Sequence, residues 1–151
     1  MKVVVDTNVV MAALIKDSKA RKILASAEFE FFAPEFVLEE IEKYKALIRE
    51  KSGLSEDELE LLISLVFEGI KIIPSSDYET FKEAAIKIMK EDVKDAPYVA
   101  CYLALKCDCV WTNDTDYEGK EEVKVFSTEK LLGLIEDGQY RKNNLEKEKE
   151  Q

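Results

Sequence analysis

The chain has 151 residues, a formal net charge of −10 and no histidine. A chain of this length can fold as one domain around its own core, and the lack of an imidazole excludes a Ser-His-Asp hydrolase. The negative net charge differs from that of general nucleic-acid binders, whose basic residues supply the affinity. The chain has no long apolar run, and it has an acid as early as Asp6. We therefore expect a cytoplasmic protein with no membrane partner.

The predicted secondary structure alternates between strands and helices along the chain. Apolar runs predict five short strands, at 3–5, 29–32, 70–73, 109–112 and 123–126. The stretches between them predict helices at 8–15, 18–27, 34–50, 55–68, 77–90, 95–106 and 128–136. Because parallel strands need crossover connections, this order predicts an α/β fold: a single three-layer domain with a five-stranded twisted parallel sheet flanked by helices. We place the domain at 1–138 and predict that 139–151 form a polar, mobile C-terminal tail.

The three cysteines are Cys101, Cys107 and Cys109. Their odd number and the lack of a Cys-x-x-Cys pair favour buried, reduced thiols over a disulfide framework. A zinc site would need further ligands, and histidine is absent. Charged residues are abundant, and asparagine and glutamine are scarce. This composition favours a thermophilic source.

Aspartates stand where the predicted strands end. Asp6 follows the first strand, Asp114 and Asp116 follow the fourth, and Asp95 opens the helix that leads into the fourth. Ligands of open parallel sheets bind beyond the carboxyl ends of the strands, so one end of the sheet can hold all of these acids. Each acid also has a structural reading, since Asp95 suits a helix N-cap and the pair at 114 and 116 suits a turn.

Glu40 lies within the apolar stripe of its predicted helix. It comes three residues after Val37 and four before Tyr44, whereas Glu39 and Glu42 fall on the outer side. An acid that faces a core without a partner is costly. Glu40 is therefore either a metal ligand or an edge residue whose carboxylate reaches solvent.

A cluster of such acids indicates metal chemistry. Carboxylates a few ångströms apart repel one another by roughly 4 kcal/mol per pair at an effective dielectric near 20, so the cluster needs protons or cations. Oxygen ligands without histidine select Mg²⁺ or Mn²⁺. A bound ion of this kind activates water and stabilises charge on phosphoryl oxygens, which favours phosphodiester hydrolysis.

Two basic stretches, at 16–22 and 43–51, each carry a net charge of +3 in this acidic chain. They fit either solvated helix faces or rims that contact the phosphates of an RNA. The candidate rim residues are Lys16, Lys19, Arg21, Lys22, Lys43, Lys45 and Arg49.

Four stretches in order, at 3–8, 34–41, 92–100 and 111–116, resemble the motifs of the PIN-domain family. This family includes metal-dependent ribonucleases and the VapC-like toxins, and the resemblance spans about residues 1–135. Each motif alone is weak, whereas four in the correct order and spacing are specific. The resemblance implies a PIN-like fold and an acidic cleft that cleaves RNA with Mg²⁺ or Mn²⁺.

The resemblance also implies roles for particular residues. The four acidic positions of the family match Asp6, Glu40, Asp95 and Asp114, as catalytic residues and metal ligands, and Asp116 matches a further metal ligand. Supporting polar positions match Thr7, Asn8 and Thr112. The partners it implies are an RNA substrate, a second copy of the chain in a homodimer and, for a toxin, an antitoxin protein.

Other classes with acidic sites fit less well. A haloacid-dehalogenase-type phosphatase needs a second aspartate where this chain has Asn8. A response-regulator receiver needs a lysine after the last strand, where 126–128 offer none, and no Gly-x-x-x-x-Gly-Lys is present. Two alternatives stay open: an RNA-processing or quality-control nuclease, and a non-catalytic module whose acidic cleft binds a metal or a basic partner.

Overall fold

A five-stranded parallel sheet forms the centre of the computed structural model, which describes residues 1–16 and 18–150. The strand order is β3-β2-β1-β4-β5, and every neighbouring pair is parallel. The predicted five-stranded α/β architecture is therefore confirmed. The strands are β1 (Lys2–Val5), β2 (Glu30–Pro34), β3 (Ile70–Ile73), β4 (Cys109–Trp111) and β5 (Val125–Phe126).

Helices cover both faces of this sheet. The alternating side chains of β1 show the layering, because Val3 and Val5 enter one core and Val4 enters the other. All three are fully buried, as expected for a central strand covered on both faces. The helices are α1 (Thr7–Ile15), α2 (Ser18–Leu24), α3 (Phe36–Lys43), α4 (Lys45–Ser52), α5 (Glu56–Glu68), α6 (Lys82–Met89), α7 (Ala96–Ala104) and α8 (Thr128–Lys149).

The two cores are built from different helices. The core that contains Val3 and Val5 takes apolar side chains from α1, α2, α3, α4, α5 and α8. The core that contains Val4 takes them from α6 and α7. The three layers of the prediction are thus a large helical layer, the sheet and a smaller helical layer.

The single helix predicted at 34–50 is wrong. Pro34 ends β2, paired with Ile73, and the helical segment breaks at Tyr44 into α3 and α4. The Tyr44 backbone (φ −99°, ψ 8°) departs from helical geometry between the two helices. Ile48 of α4 nevertheless reaches the same core as Ile41 of α3.

The helix predicted at 77–90 is also shorter than expected. Two short 3₁₀ turns, Ser75–Asp77 and Glu79–Phe81, precede α6. Tyr78 between them is buried in the smaller core. The fifth strand is shorter as well, because the amide of Val123 is bound in a turn to the carbonyl of Lys120.

The last helix does not end at about residue 136 as predicted, because α8 passes through Gly138 and continues to Lys149. A glycine inside a helix costs about 1 kcal/mol relative to alanine, but it does not by itself end the helix. Here a Cβ at Gly138 would come 2.7 Å from a carboxylate oxygen of Glu28, so the missing side chain permits a close approach. Gln151, the last residue of the predicted tail, lies outside the described residues.

Smaller features agree with the sequence. Ser55 and Glu58 form a reciprocal capping box at the start of α5. The three cysteines are buried and free, and burial raises the pKa of the Cys101 thiol to about 12. Within the described part of the chain, no helix has the length and apolar character needed to cross a bilayer.

Candidate active site and metal centre

The topology brings the predicted acids to one edge of the sheet. Asp6 directly follows β1, and its amide is bound to the carbonyl of Trp111 at the end of β4. Asp114 follows β4 after two further residues, and Asp95 ends the 3₁₀ turn that leads into α7. Because β1 and β4 are adjacent and parallel, their carboxyl ends place these side chains together.

Asp95, Asp114 and Asp116 form the closest group. Each offers a carboxylate oxygen, and these oxygens lie within 4.8 Å of one another. Asp114 also accepts a hydrogen bond from the Asp116 amide (3.0 Å) through one oxygen and from Asn8 Nδ2 (3.2 Å) through the other. The turn that the sequence predicted at Asp114 and Asp116 is therefore present, and it holds these two carboxylates close to Asp95.

Asp95 is only 6% exposed, and its Oδ2 atom has no hydrogen-bond partner. It does not act as an N-cap, since its backbone is helical and its side chain makes no capping bond. Burial, followed by a shared hydrogen bond with Asp116 and the charge of Asp6, raises the pKa of Asp95 to about 8. Ionisation of this carboxyl at neutral pH therefore calls for a nearby cation.

Asp6 is buried still more deeply, at 2% exposed. Burial is the main cause that raises its pKa to about 6, with Asp114 and Glu40 adding to it. A hydrogen bond from Thr112 Oγ1 (2.7 Å) opposes this shift. Thr112 thus favours the ionised form of Asp6, which is the form that a cation requires.

Glu40 is half-buried and points towards the other acids. Its Oε1 atom accepts hydrogen bonds from Thr7 Oγ1 and from the Tyr98 hydroxyl, both at 3.2 Å. These two hydroxyls also contact each other. Glu39 is exposed, so the helical periodicity distinguishes the two glutamates correctly in the fold.

A cavity of about 290 Å³ opens beside these acids. Its polar wall contains Asp6, Glu40 and Asp95, together with Thr7 and Asn8. Its other wall is apolar and aromatic, and Lys94 contributes to the lining. The Lys94 ammonium lies 4.0 Å from a carboxylate oxygen of Asp116, and Asp95, followed by Asp116, raises its pKa.

The structure adds residues that the sequence reasoning did not select: Tyr98, Lys94, Tyr117 and Lys120. Tyr98 lies one helical turn after Asp95, a spacing that could have identified it. Lys120 forms an ion pair with Asp92 (2.8 Å) and also binds the carbonyl of Asp116. Tyr117 is 4% exposed, and burial, followed by the charges of Asp6 and Asp95, raises its pKa. No sequence pattern separates it from an ordinary core aromatic.

The seven candidate rim residues do not line this cavity. Several have intramolecular contacts instead. Lys19 pairs with Glu129, Lys45 pairs with Glu60, and Arg21 Nε donates to the carbonyl of Ala13. Their contact with RNA stays a prediction, while Lys94 is the basic residue that reaches the acids.

A family model for the PIN domain matches residues 4–133 of this chain. The chain belongs to the PIN-domain family. PIN domains are generally nucleases, which agrees with an acidic cavity at the carboxyl edge of the sheet.

Two solved structures share the PIN-domain fold of this chain. A toxin–antitoxin complex from Klebsiella pneumoniae matches with a TM-score of 0.62 and 17% identity, over 83% of this chain and 97% of that chain. VapBC2 from Rickettsia felis, bound to a DNA fragment from its promoter, matches with a TM-score of 0.64 and 15% identity, over 84% and 98%. At these identities the likeness shows the fold alone. No curated protein matches the chain.

Proposed function

We propose that this PIN-domain protein is a metal-dependent endoribonuclease, which hydrolyses RNA phosphodiester bonds at the acidic cluster with Mg²⁺ or Mn²⁺ as its cofactor. The observation that carries the proposal is the group of three carboxylates, from Asp95, Asp114 and Asp116, within 4.8 Å. Asp6 and Glu40 line the adjoining cavity. Such a concentration of negative charge is expected where a cation binds.

The donor set fits a hard divalent cation. All of the candidate ligands are oxygens, and the chain has no histidine, which favours Mg²⁺ or Mn²⁺ over zinc. The unpartnered Oδ2 atom of Asp95 is an available ligand. When bound, the ion supplies an activated water and stabilises negative charge on the phosphate.

The protein residues then have separate tasks. Asp95, Asp114 and Asp116 hold the cation, and Asp6 and Glu40 complete its surroundings. Hydrogen bonds from neighbouring hydroxyls keep these acids oriented: Thr112 donates to Asp6, and Thr7 and Tyr98 donate to Glu40. Lys94 offers a positive charge at the cavity for a phosphate of the substrate.

The biological setting belongs to the same proposal. PIN-domain membership supports RNA as the substrate class. The two similar structures are toxin–antitoxin assemblies, which supports a role as the toxin of a toxin–antitoxin pair with an antitoxin protein as partner. A homodimer and a role in RNA processing or quality control remain further proposals.

The test is RNA cleavage by the purified chain. Labelled single-stranded and structured RNAs are incubated with Mn²⁺, with Mg²⁺ or with a chelator. We expect cleavage with either ion, none with chelator, and at least a hundredfold loss in Asp6→Asn and Asp114→Asn, in line with losses at single catalytic groups. Asp137→Asn, on the exposed side of α8, is the matched control and should cleave as the wild type does.

A non-catalytic module is the competing function. It would bind Mn²⁺ at the same acids and leave every RNA intact under all of these conditions. That combination would refute the ribonuclease and leave the metal site in place. Cleavage that persists in chelator or in both active-site variants would refute the metal mechanism.

A further inference from the structure

Two buried polar side-chain atoms lack a hydrogen-bond partner in the described part of the chain: Asp95 Oδ2 and the Tyr117 hydroxyl. Asp95 and Tyr117 are 6% and 4% exposed. Buried polar groups are nearly always hydrogen-bonded in native proteins, so each exception needs a reason. Both exceptions occur at the same acidic cluster.

Tyr117 lies beside this cluster. It ends the 3₁₀ turn that Asp114 caps, and it directly follows Asp116. Burial, followed by the charges of Asp6 and Asp95, holds the pKa of Tyr117 well above its usual range, so its phenol is close enough to these carboxylates to feel their charge. A phenol is a hydrogen-bond donor at neutral pH, and this one has no acceptor in the metal-free structure.

The second tyrosine of the site gives the contrast. The Tyr98 hydroxyl contacts Thr7 and donates to Glu40, so its polar atom is satisfied. The Tyr117 hydroxyl is buried without such a bond, and a phenylalanine would fill nearly the same space without that cost. The buried Tyr117 hydroxyl, which costs free energy in the metal-free fold, is explained if it gains a hydrogen-bond partner when the site holds a metal ion.

We propose that Tyr117 is a positioning residue of the metal centre: its hydroxyl donates a hydrogen bond to a carboxylate of the cluster when a divalent cation orders the acids, and the unpartnered Asp95 Oδ2 atom is a candidate acceptor. The inference rests on the proposed function only in requiring that the cluster binds a divalent cation. Partners that orient the ligands of a metal commonly contribute tenfold to a hundredfold in affinity.

This role has a signature that a merely structural tyrosine lacks. Tyr117→Phe removes an unsatisfied hydroxyl from the metal-free protein, so that state should be as stable as the wild type or more stable. The same change removes a hydrogen bond from the metal-bound state, so the affinity for Mn²⁺ should fall about tenfold. The two effects have opposite signs.

The experiment uses the full chain and Mn²⁺ alone. Isothermal titration gives the dissociation constant of Mn²⁺, and urea denaturation in chelator gives the stability of the metal-free state. Tyr102→Phe is the matched control, because the Tyr102 hydroxyl accepts a hydrogen bond from the Lys124 amide away from the acids. That variant should bind Mn²⁺ as the wild type does.

The outcomes separate this inference from the proposed function. Weaker Mn²⁺ binding by Tyr117→Phe, with undiminished metal-free stability, supports the inference whether or not the wild type cleaves RNA. Equal Mn²⁺ affinity in variant and wild type overturns the inference alone, as does a clear loss of metal-free stability. A wild-type chain that binds no Mn²⁺ overturns both proposals.

Discussion

Thr112 links two acids of the site through one hydroxyl. Its Oγ1 atom donates to Asp6 Oδ2 at 2.7 Å and accepts from the Asp114 amide at 3.0 Å. Thr112 is itself buried, and it directly follows β4, which makes its position rigid. This single side chain therefore lowers the pKa of Asp6 against the effect of burial, and it also binds the start of the turn that carries Asp114.

Replacing Thr112 by valine should shift the pH dependence of cleavage. The change keeps the shape and removes a hydrogen bond to a carboxylate, a bond worth about 1.5–3 kcal/mol. The pKa of Asp6 should rise further above its present value of about 6, so the acid limb of the cleavage rate should move to higher pH, with about a tenfold loss at pH 7.

A profile of the RNA cleavage rate between pH 5 and 9 measures this shift. Thr115→Val, at an exposed position of the same turn, is the control and should keep the wild-type profile. An unchanged acid limb in Thr112→Val would show that Asp6 does not titrate in the rate-limiting species.

The sequence predicts where a residue lies in the fold when helical periodicity or the end of a strand identifies its position. Glu40 is separated from Glu39 by its place on the stripe of α3, and Asp6 is placed by the end of β1. Tyr117 could not be found in this way, because a buried tyrosine and a functional one have the same pattern. Only its unpartnered hydroxyl distinguishes it.

At the scale of elements, the strands were more predictable than the helix ends. The strands are short apolar runs, and the apolar residues of the central strands β1 and β4 are buried on both faces, as such runs predict. The break at Tyr44 and the passage of α8 through Gly138 have no signal in the apolar pattern. Local propensity does not contain that information.

The extension of α8 provides a test at this scale. Residues 139–149 continue the helix, and nearly all of them are exposed. Deleting 139–151 should therefore change the free energy of unfolding by less than about 1 kcal/mol, since few buried groups are lost. It should also leave Mn²⁺ affinity unchanged, because the acids are held by other elements.

Urea denaturation and Mn²⁺ titration of the truncated chain check both expectations. A loss of more than about 2 kcal/mol, or weaker Mn²⁺ binding, would show that the predicted domain 1–138 is incomplete without the extension. Deletion of 144–151 serves as the milder comparison and should have the smaller effect.

At the scale of the whole molecule, bound cations would reconcile the acidic net charge with the proposed RNA substrate. A chain with a net charge of −10 would repel RNA, and the acids of the cavity would add to this repulsion. Bound divalent ions would neutralise much of the local negative charge and present a positive centre that a phosphate can approach. The same ions should govern the pH dependence of stability.

The metal-free protein should lose stability as the pH rises. The pKa values of Asp6 and Asp95 are raised from 3.8 to about 6 and about 8, so the folded state retains protons that the unfolded chain releases. Their stabilising contribution is complete below about pH 4 and is lost progressively up to about pH 8. The absence of histidine removes the side chain that usually titrates in this window.

Urea denaturation at pH 5.5 and pH 8 tests this linkage. In chelator, the free energy of unfolding should be lower at pH 8 by roughly 4 kcal/mol. Saturating Mn²⁺ binds the ionised acids, so it should stabilise the protein more at pH 8 than at pH 5.5 and reduce the difference. Metal-free stability that instead increases over this range would contradict the pKa shifts.

The chemical identity of the cleavage products tests the central claim most directly. A water activated by a bound metal ion would attack the phosphorus and displace a ribose oxygen without help from the 2′-hydroxyl of the RNA. Metal-independent ribonucleases that use this hydroxyl instead leave a 2′,3′-cyclic phosphate. The measurement is cleavage of an RNA with a single 2′-deoxy substitution at the scissile nucleotide, followed by mass spectrometry of the new ends. We predict Mn²⁺-dependent cleavage within a few-fold of the all-ribose rate and no cyclic phosphate. Loss of cleavage at the 2′-deoxy position, together with cyclic phosphate ends on the all-ribose RNA, would contradict hydrolysis at the acidic cluster.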